Sequence, residues 1–379
     1  MQAPRVQYAK TSDGVSIAFA TSGDGPPFLH TPSGPFHHLQ LEWQFPEIRS
    51  WYESLSEKRK LVLYNNRGSG LSERSPDQSR HANHTLDANL RDLEAVADKL
   101  GPQPFVLFGF YHGGPAAIAY AAEHPERVSH LILWHTWARA RDRFSRSPRV
   151  EAVRLLLDQD WELYTETLAH DLMGWPQGEP AHRFAAFIRE CLDQETQKAM
   201  FRATDDFDVT DLLPRLKMPT LVLHRRQFSR VPLDLAMGLA SAIPDARLVV
   251  LDGASWGPYL GDPASALQAI DDFLGDSARR QGSASALGSQ SPESQSWEQP
   301  LIDVEPGRTE ATMTMVAARE KSFSSGRYVV RRVLGEGGQK IVYLVHDTAL
   351  DRECALSVIK RDLLEPDDLL RLQREAQSM

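Results

Sequence analysis

Residues 105–119, Phe-Val-Leu-Phe-Gly-Phe-Tyr-His-Gly-Gly-Pro-Ala-Ala-Ile-Ala, constrain the fold of this chain more than any other segment. An apolar, aromatic run of strand length passes straight into a small-residue run of helical character, with only a glycine-framed turn between. A turn that tight forces strand and helix to pack closely. The helix then lies across the sheet face, which is the geometry of a parallel sheet covered by helices.

The surrounding sequence repeats that alternation from Tyr8 to about Leu274. Strands are expected at Val15–Thr21, Pro27–Thr31, Lys60–Asn65, Phe105–Phe110, Val128–His135, Thr220–His224 and Arg247–Leu251. Between them, Leu86–Leu100 places Leu90, Leu93, Val96, Ala97 and Leu100 on one helical face, and Ala116–Glu123 reads as a helix packed tightly on the sheet. The stretch 138–216 breaks the rhythm. It is too long for a structureless loop and carries Trp161, Tyr164, Trp175, Phe184, Phe187 and Phe201, so a helical cap over the carboxyl ends of the strands is expected, with these aromatics as cap core. Ser, Gln, Gly and Pro dominate 276–325, which therefore reads as a disordered linker. A β pattern resumes at Gly326 and runs through 379.

Three further stretches sharpen the reading. Gly109-Phe110-Tyr111-His112-Gly113 has the glycine frame of a nucleophile elbow, G-x-S-x-G, with Tyr111 at its centre. Tyr64-Asn65-Asn66-Arg67-Gly68-Ser69-Gly70-Leu71-Ser72 is similar to a D-x-R-G-x-G-x-S stretch, and Glu123–Val128 to the turn before the next strand. In this order and spacing they resemble the α/β-hydrolase superfamily over about 270 residues. The resemblance implies an α/β domain at 1–275, with a mostly parallel sheet, helices on both faces and a cap at about 138–216. It also implies a catalytic Ser, Asp and His, whose positions hold Tyr111, Phe228 and Trp256 here. By the same resemblance Pro32, Ser33, Gly34, His112 and Gly113 form the pocket and oxyanion region, in which Pro32 has no amide hydrogen to donate.

Acyl transfer needs a nucleophile, a base in contact with it, and a group orienting that base. A phenol is a poor nucleophile unless activated, an indole N–H only donates, and a phenyl ring orients nothing. The expected function is therefore that of an inactive hydrolase-like sensor or interaction domain. Its partners would be a small apolar or aromatic ligand or a protein, and it would need no cofactor or metal. The alternative is an active hydrolase of small esters with a relocated nucleophile or base, built from Tyr111 with His112, His30, His37 or His38.

At the other end, Gly335 and Gly337 in a Gly-rich hairpin, Val342, Lys360 in Ala355–Lys360, and Glu375 resemble the start of a Ser/Thr protein kinase domain. That resemblance implies a hairpin, a third strand and the start of a helix over 326–379, able to bind ATP and Mg²⁺ only within a complete kinase domain. No H-R-D-x-x-x-x-N or D-F-G motif occurs in the 379 residues, so a working kinase is expected only of a longer parent chain.

Charge and cysteine content narrow the compartment and partners. A net charge of −9 disfavours nucleic-acid and anionic-membrane partners. The run Arg139, Arg141, Arg143, Arg146, Arg149, with Asp142 and Glu151 nearby, reads as a solvated face. Cys191 and Cys354 fall in different predicted domains and are not expected to pair. With no signal-peptide pattern and no long apolar run, a cytoplasmic protein is expected.

Overall fold

A computed structural model describes residues 3–34, 36–74, 84–144, 148–173, 178–287, 322–323, 328–336, 340–347 and 352–359. The chain divides into two units, 1–291 and 292–379.

The first unit is built on an eight-stranded sheet. Its strands are β1 (Val6–Lys10), β2 (Ser16–Ser22), β3 (Pro27–His30), β4 (Lys60–Tyr64), β5 (Phe105–Phe110), β6 (Val128–Trp134), β7 (Thr220–Arg225) and β8 (Ala246–Leu251). They lie in the order β1-β2-β4-β3-β5-β6-β7-β8. β1 and β2 pair antiparallel, β2 pairs antiparallel with β4, and every pairing from β4 to β8 is parallel. The central strands are buried on both faces, as a parallel sheet requires. Leu61 and Leu63 point into one core, Val62 and Tyr64 into the other.

Helices cover both sides. α2 (Leu86–Ala97), α3 (Gly114–Glu123) and α9 (Leu233–Ala242) contribute Leu93, Val96, Ile118 and Leu239 to one core. α1 (Pro46–Ser56) and α10 (Pro263–Leu287) contribute Trp51, Leu55, Ile270 and Phe273 to the other. The cap is helical as expected: α4 (Ala140–Phe144), α5 (Pro148–Gln159), α6 (Trp161–Met173), α7 (Gly178–Cys191) and α8 (Gln194–Thr204). Tyr164, Phe184 and Phe187 are buried in the second core, with Trp161 and Phe201 packed against it; Trp175 lies outside the described residues.

Two expectations shift. β1, whose burial alternates weakly, and α1, which buries Ile48, Trp51, Tyr52 and Leu55 at helical spacing, are elements beyond those expected. α10 runs to Leu287, past the boundary expected at 275. The continuation from Asp276 to Leu287, the first part of the expected disordered linker, mixes the helix formers Ala, Arg and Gln with Ser and Gly and extends a helix already anchored by Ile270 and Phe273. No helix of the described residues is long and apolar enough to cross a membrane.

The second unit has a four-stranded antiparallel sheet in the order β12-β11-β10-β9: β9 (Ser322–Phe323), β10 (Tyr328–Glu336), β11 (Lys340–Asp347) and β12 (Arg352–Ile359). The hairpin and third strand thus form, with Gly335 paired to Val342. Gly337, Lys360 and Glu375 lie outside the described residues.

One charge network, buried at Arg67 and Asp92 and reaching the surface at Asp13, ties the carboxyl end of β4 to its neighbours. Arg67 Nε donates to Asp92 Oδ1 at 2.8 Å, its backbone N–H to Asp92 Oδ2 at 2.9 Å, and Nη1 to Asp13 Oδ2 at 2.8 Å. The hydrogen bond from Arg67 holds Asp13 well below the usual carboxylate range. Burial pushes Asp92 up to about 6 despite the guanidinium. Removing one partner of such a set strands a buried charge. Arg67→Ala is expected to lower unfolding free energy by about 3–5 kcal/mol in urea denaturation, and a loss below about 1 kcal/mol would show the network to be energetically idle.

Candidate functional site

Tyr111 sits between β5 and α3 at φ 53°, in the left-handed region that a bulky side chain adopts only when its surroundings impose it. Those surroundings are tight. A Cβ on Gly109 would come within 2.9 Å of Ala117 Cβ, and one on Gly113 would run into Thr31 and the Pro32 carbonyl. Thr31 Oγ1 accepts from the Phe110 amide at 3.0 Å, and Thr136 Oγ1 donates to the Tyr111 carbonyl at 2.8 Å. The glycine frame read from the sequence is an elbow, and the side chain at its apex is a phenol.

The three predicted triad positions converge. Tyr111 lies edge-on to Phe228 at 6.2 Å between ring centroids and to Trp256 at 6.3 Å. Phe228 stacks on His135 at 4.2 Å. Trp256 lies 5.2 Å from Phe110 and 5.8 Å from the cap's Phe184. All three are buried. His135 is fixed by backbone at both nitrogens, Nδ1 against Trp256 O at 3.1 Å and Nε2 accepting from Arg225 N at 2.9 Å.

The phenol has two cationic partners. Arg143 of α4 donates Nη2 to Tyr111 Oη at 2.5 Å, and Arg230, just before α9, donates Nε at 3.3 Å. Arg230 also pairs with Asp171 of α6, and both side chains are buried. Burial pulls Arg143 down to about 10, so it keeps its charge at neutral pH. Burial also works against the charge of Arg230, but Tyr111 and Asp171 more than offset it, and its pKa rises. Arg143 further lies over the Trp137 ring at 4.5 Å and the Tyr111 ring at 4.8 Å.

This corrects the expectation of a solvated arginine run. Arg139 and Arg141 are exposed, and Arg139 pairs with Asp142, but Arg143 is buried at the site. Arg146 and the side chain of Arg149 lie outside the described residues, and the burial of Arg143 within this charged run has no signature in composition. Arg230 was also missed, although it adjoins Val231-Pro232; the signal that could have found both is the need of a buried phenol for donors.

The oxyanion region is occupied by protein. The His112 amide, following the elbow residue, is the donor such a hole requires; here it bonds to the Ser33 carbonyl at 3.3 Å. Gly34, at φ 138°, lies against the His112 ring. His112 Nε2 faces Arg143 Nη1 at 3.4 Å, and since a guanidinium only donates, the imidazole is on the accepting side. Burial drives its pKa well down, with Arg143 and Arg230 adding to the effect.

Of the neighbouring histidines, His30 is buried and lowered to about 4 by that burial, with Nδ1 against Thr31 O at 2.8 Å. His37 Nδ1 lies 3.4 Å from Glu42 Oε2. Burial raises Glu42 and lowers His37, so this is a contact of neutral groups rather than an ion pair. His38 Nδ1 accepts from the Leu41 amide at 3.2 Å.

Space at the elbow is small. A void of about 20 Å³ is lined by Tyr111, His112, Arg143, Tyr164, Gln197 and Arg230 among others, and a second of about 20 Å³ lies on the other side of His112 and Gln197. Each has room for about one water. Tyr164 Oη and Gln197 Oε1 are buried there without a protein hydrogen-bond partner. The large opening, about 770 Å³, is a surface groove lined by Trp51, Met173, Tyr259 and Leu260, and includes neither Tyr111 nor His112.

The family model described as alpha/beta hydrolase fold matches residues 44–182. A protein of Caulobacter sp. (strain K31) named as a candidate carbamate hydrolase is 27% identical over 218 residues, covering 55% of this chain and 76% of that protein. A 2-hydroxymuconate semialdehyde hydrolase of Pseudomonas putida is 28% identical over 238 residues, 58% of this chain and 79% of its own. Among solved structures, a hydrolase from Pseudomonas aeruginosa superposes with a TM-score of 0.60 at 24% identity, over 72% of this chain and all of that one. These relatives are named as hydrolases, and in that respect they stand with the alternative of an active enzyme rather than with an inactive domain. None of these matches concerns a kinase.

Removing the phenol oxygen takes away the acceptor that Arg143 and Arg230 share. Tyr111→Phe is therefore expected to cost about 1–3 kcal/mol in chemical denaturation. An unchanged or higher midpoint would mean that the two bonds contribute nothing.

Proposed function

We propose that the α/β-hydrolase superfamily domain formed by residues 1–291 is a binding domain in which the acyl-transfer centre has been converted into a clamp between core and cap. The observation that carries this reading is the state of the elbow. Its side chain is a phenol held by Arg143 and Arg230, the adjoining amide is bonded to Ser33, and the positions of base and acid are buried aromatic rings.

The ligand class follows from the lining. Aromatic faces of Tyr111, Trp256, Phe201 and Tyr164 suit a small planar molecule, and the two guanidinium groups offer donors to a carboxylate on it. Since the voids hold only about a water each, such a ligand enters when the cap helices separate from the core, and binding is read out as cap movement. The C-terminal strands support a further element of this proposal: their hairpin and third strand suit the start of a Ser/Thr kinase lobe that such a sensor would regulate. Sequence following residue 379 tests that element, through the presence of H-R-D and D-F-G motifs in frame.

A second reading has its own support. Tyr111 projects from an elbow at φ 53° with two guanidinium donors on its oxygen, and the named relatives are hydrolases. In that reading the phenol oxygen is the nucleophile for small esters. The two separate cleanly in an assay with p-nitrophenyl acetate. The binding domain gives turnover indistinguishable from buffer. Turnover well above buffer that disappears in Tyr111→Phe, with an acylated Tyr111 peptide in the mass spectrum, establishes the enzyme instead.

A further inference from the structure

We propose that the cap binds one divalent transition-metal ion at Glu166, His170 and His182, a site that neither the sequence motifs nor the elbow accounts for. Glu166 and His170 are four residues apart on α6 and so share one face of that helix. His182 comes from the next helix, α7. One ligand atom from each of the three lies within 4.8 Å of the others. Glu166 and His170 are half-buried and His182 is exposed, so the cluster is backed by protein and open to solvent on one side.

The detailed contacts fit a ligand set. Glu166 Oε2 meets His182 Nδ1 at 2.7 Å, and the rings of His170 and His182 stand edge-on with centroids 5.3 Å apart. The other oxygen of Glu166 accepts from Arg189 Nη1 at 3.2 Å, and the same Nη1 donates to Thr165 Oγ1 at 2.7 Å. Arg189 thus holds the carboxylate from behind and turns its second oxygen toward the imidazoles, the supporting shell that metal-binding carboxylates ordinarily have. Bonds of about 2.1 Å in a tetrahedron place ligand atoms about 3.4 Å apart. The three groups reach that spacing by side-chain rotation, with the ion taking the place of the hydrogen now shared between Glu166 and His182.

Ligand chemistry selects the ion. Two imidazole nitrogens and one carboxylate oxygen suit Zn²⁺, Ni²⁺ or Cu²⁺, whereas Mg²⁺ and Ca²⁺ take oxygen. The positive charge of Arg189 opposes the ion and keeps affinity moderate. The consequence is mechanical: the ion joins α6 to α7 beside Asp171, the residue through which α6 grips Arg230. The inference stands independently of whether the elbow binds or hydrolyses.

Equilibrium dialysis of the full chain against ZnCl₂, with MgCl₂ in excess, tests it, together with Co²⁺ absorption in the visible. The expected result is one Zn²⁺ per chain, undisturbed by Mg²⁺. His182→Ala, a change at an exposed position, and Glu166→Gln should each weaken binding by about 10-fold or more. His124→Ala, which alters the separate surface group Glu94, Glu123 and His124, should leave binding unchanged. Failure to retain Zn²⁺, or Zn²⁺ binding that both His182→Ala and Glu166→Gln leave intact, overturns the proposal. Binding abolished by His124→Ala assigns the ion to the other group and overturns it equally.

Discussion

The close approach of strand β5 to helix α3 is the constraint on which the first unit rests. Without glycine at 109 and 113 the turn would collide with Ala117, Thr31 and the backbone of Pro32, and the helix could not lie on the sheet. The same tightness fixes Tyr111 in the left-handed region. Its side chain is therefore presented at the carboxyl end of the sheet whatever its chemistry, and an elbow is retained because the packing needs it. Backbone geometry and reactivity are separable here: the first is enforced by close contacts throughout β5 and α3, the second depends on side chains that can change while those contacts stay.

At Tyr111 the two layers are joined by a polar connection. The core supplies Tyr111 and Arg230; the cap supplies Arg143 from α4 and Asp171 from α6. Their side chains are buried, so parting the cap from the core exposes the Arg230–Asp171 ion pair and the Tyr111 hydrogen bonds to water and breaks the cation–π contact of Arg143 with Tyr111. Hydration recovers part of that loss, which makes the closed cap stable without making it irreversible.

Much of the fold was legible because it rests on period and punctuation. Phe105–Phe110 is apolar throughout, as a strand buried on both faces must be, and Leu86–Leu100 shows its helical face plainly. β1 was not legible: its burial alternates weakly at a sheet edge. At the site, the positions 111, 228 and 256 could be found because glycines and flanking strands place them. Arg143 and Arg230 could not, since their role arises from tertiary placement. Arg143 sits in a run where Arg139 and Arg141 face solvent, and nothing local separates the buried arginine from its neighbours.

The aromatic residues at 111, 228 and 256 pack against one another. A serine at 111 would remove the oxygen that Arg143 and Arg230 now share. An imidazole at 256 would replace a large ring that packs on Phe110 and Phe184, leaving space in a dense core. Single substitutions at 111 or 256 thus lose pairing or packing, and residues in such contact are expected to couple rather than add.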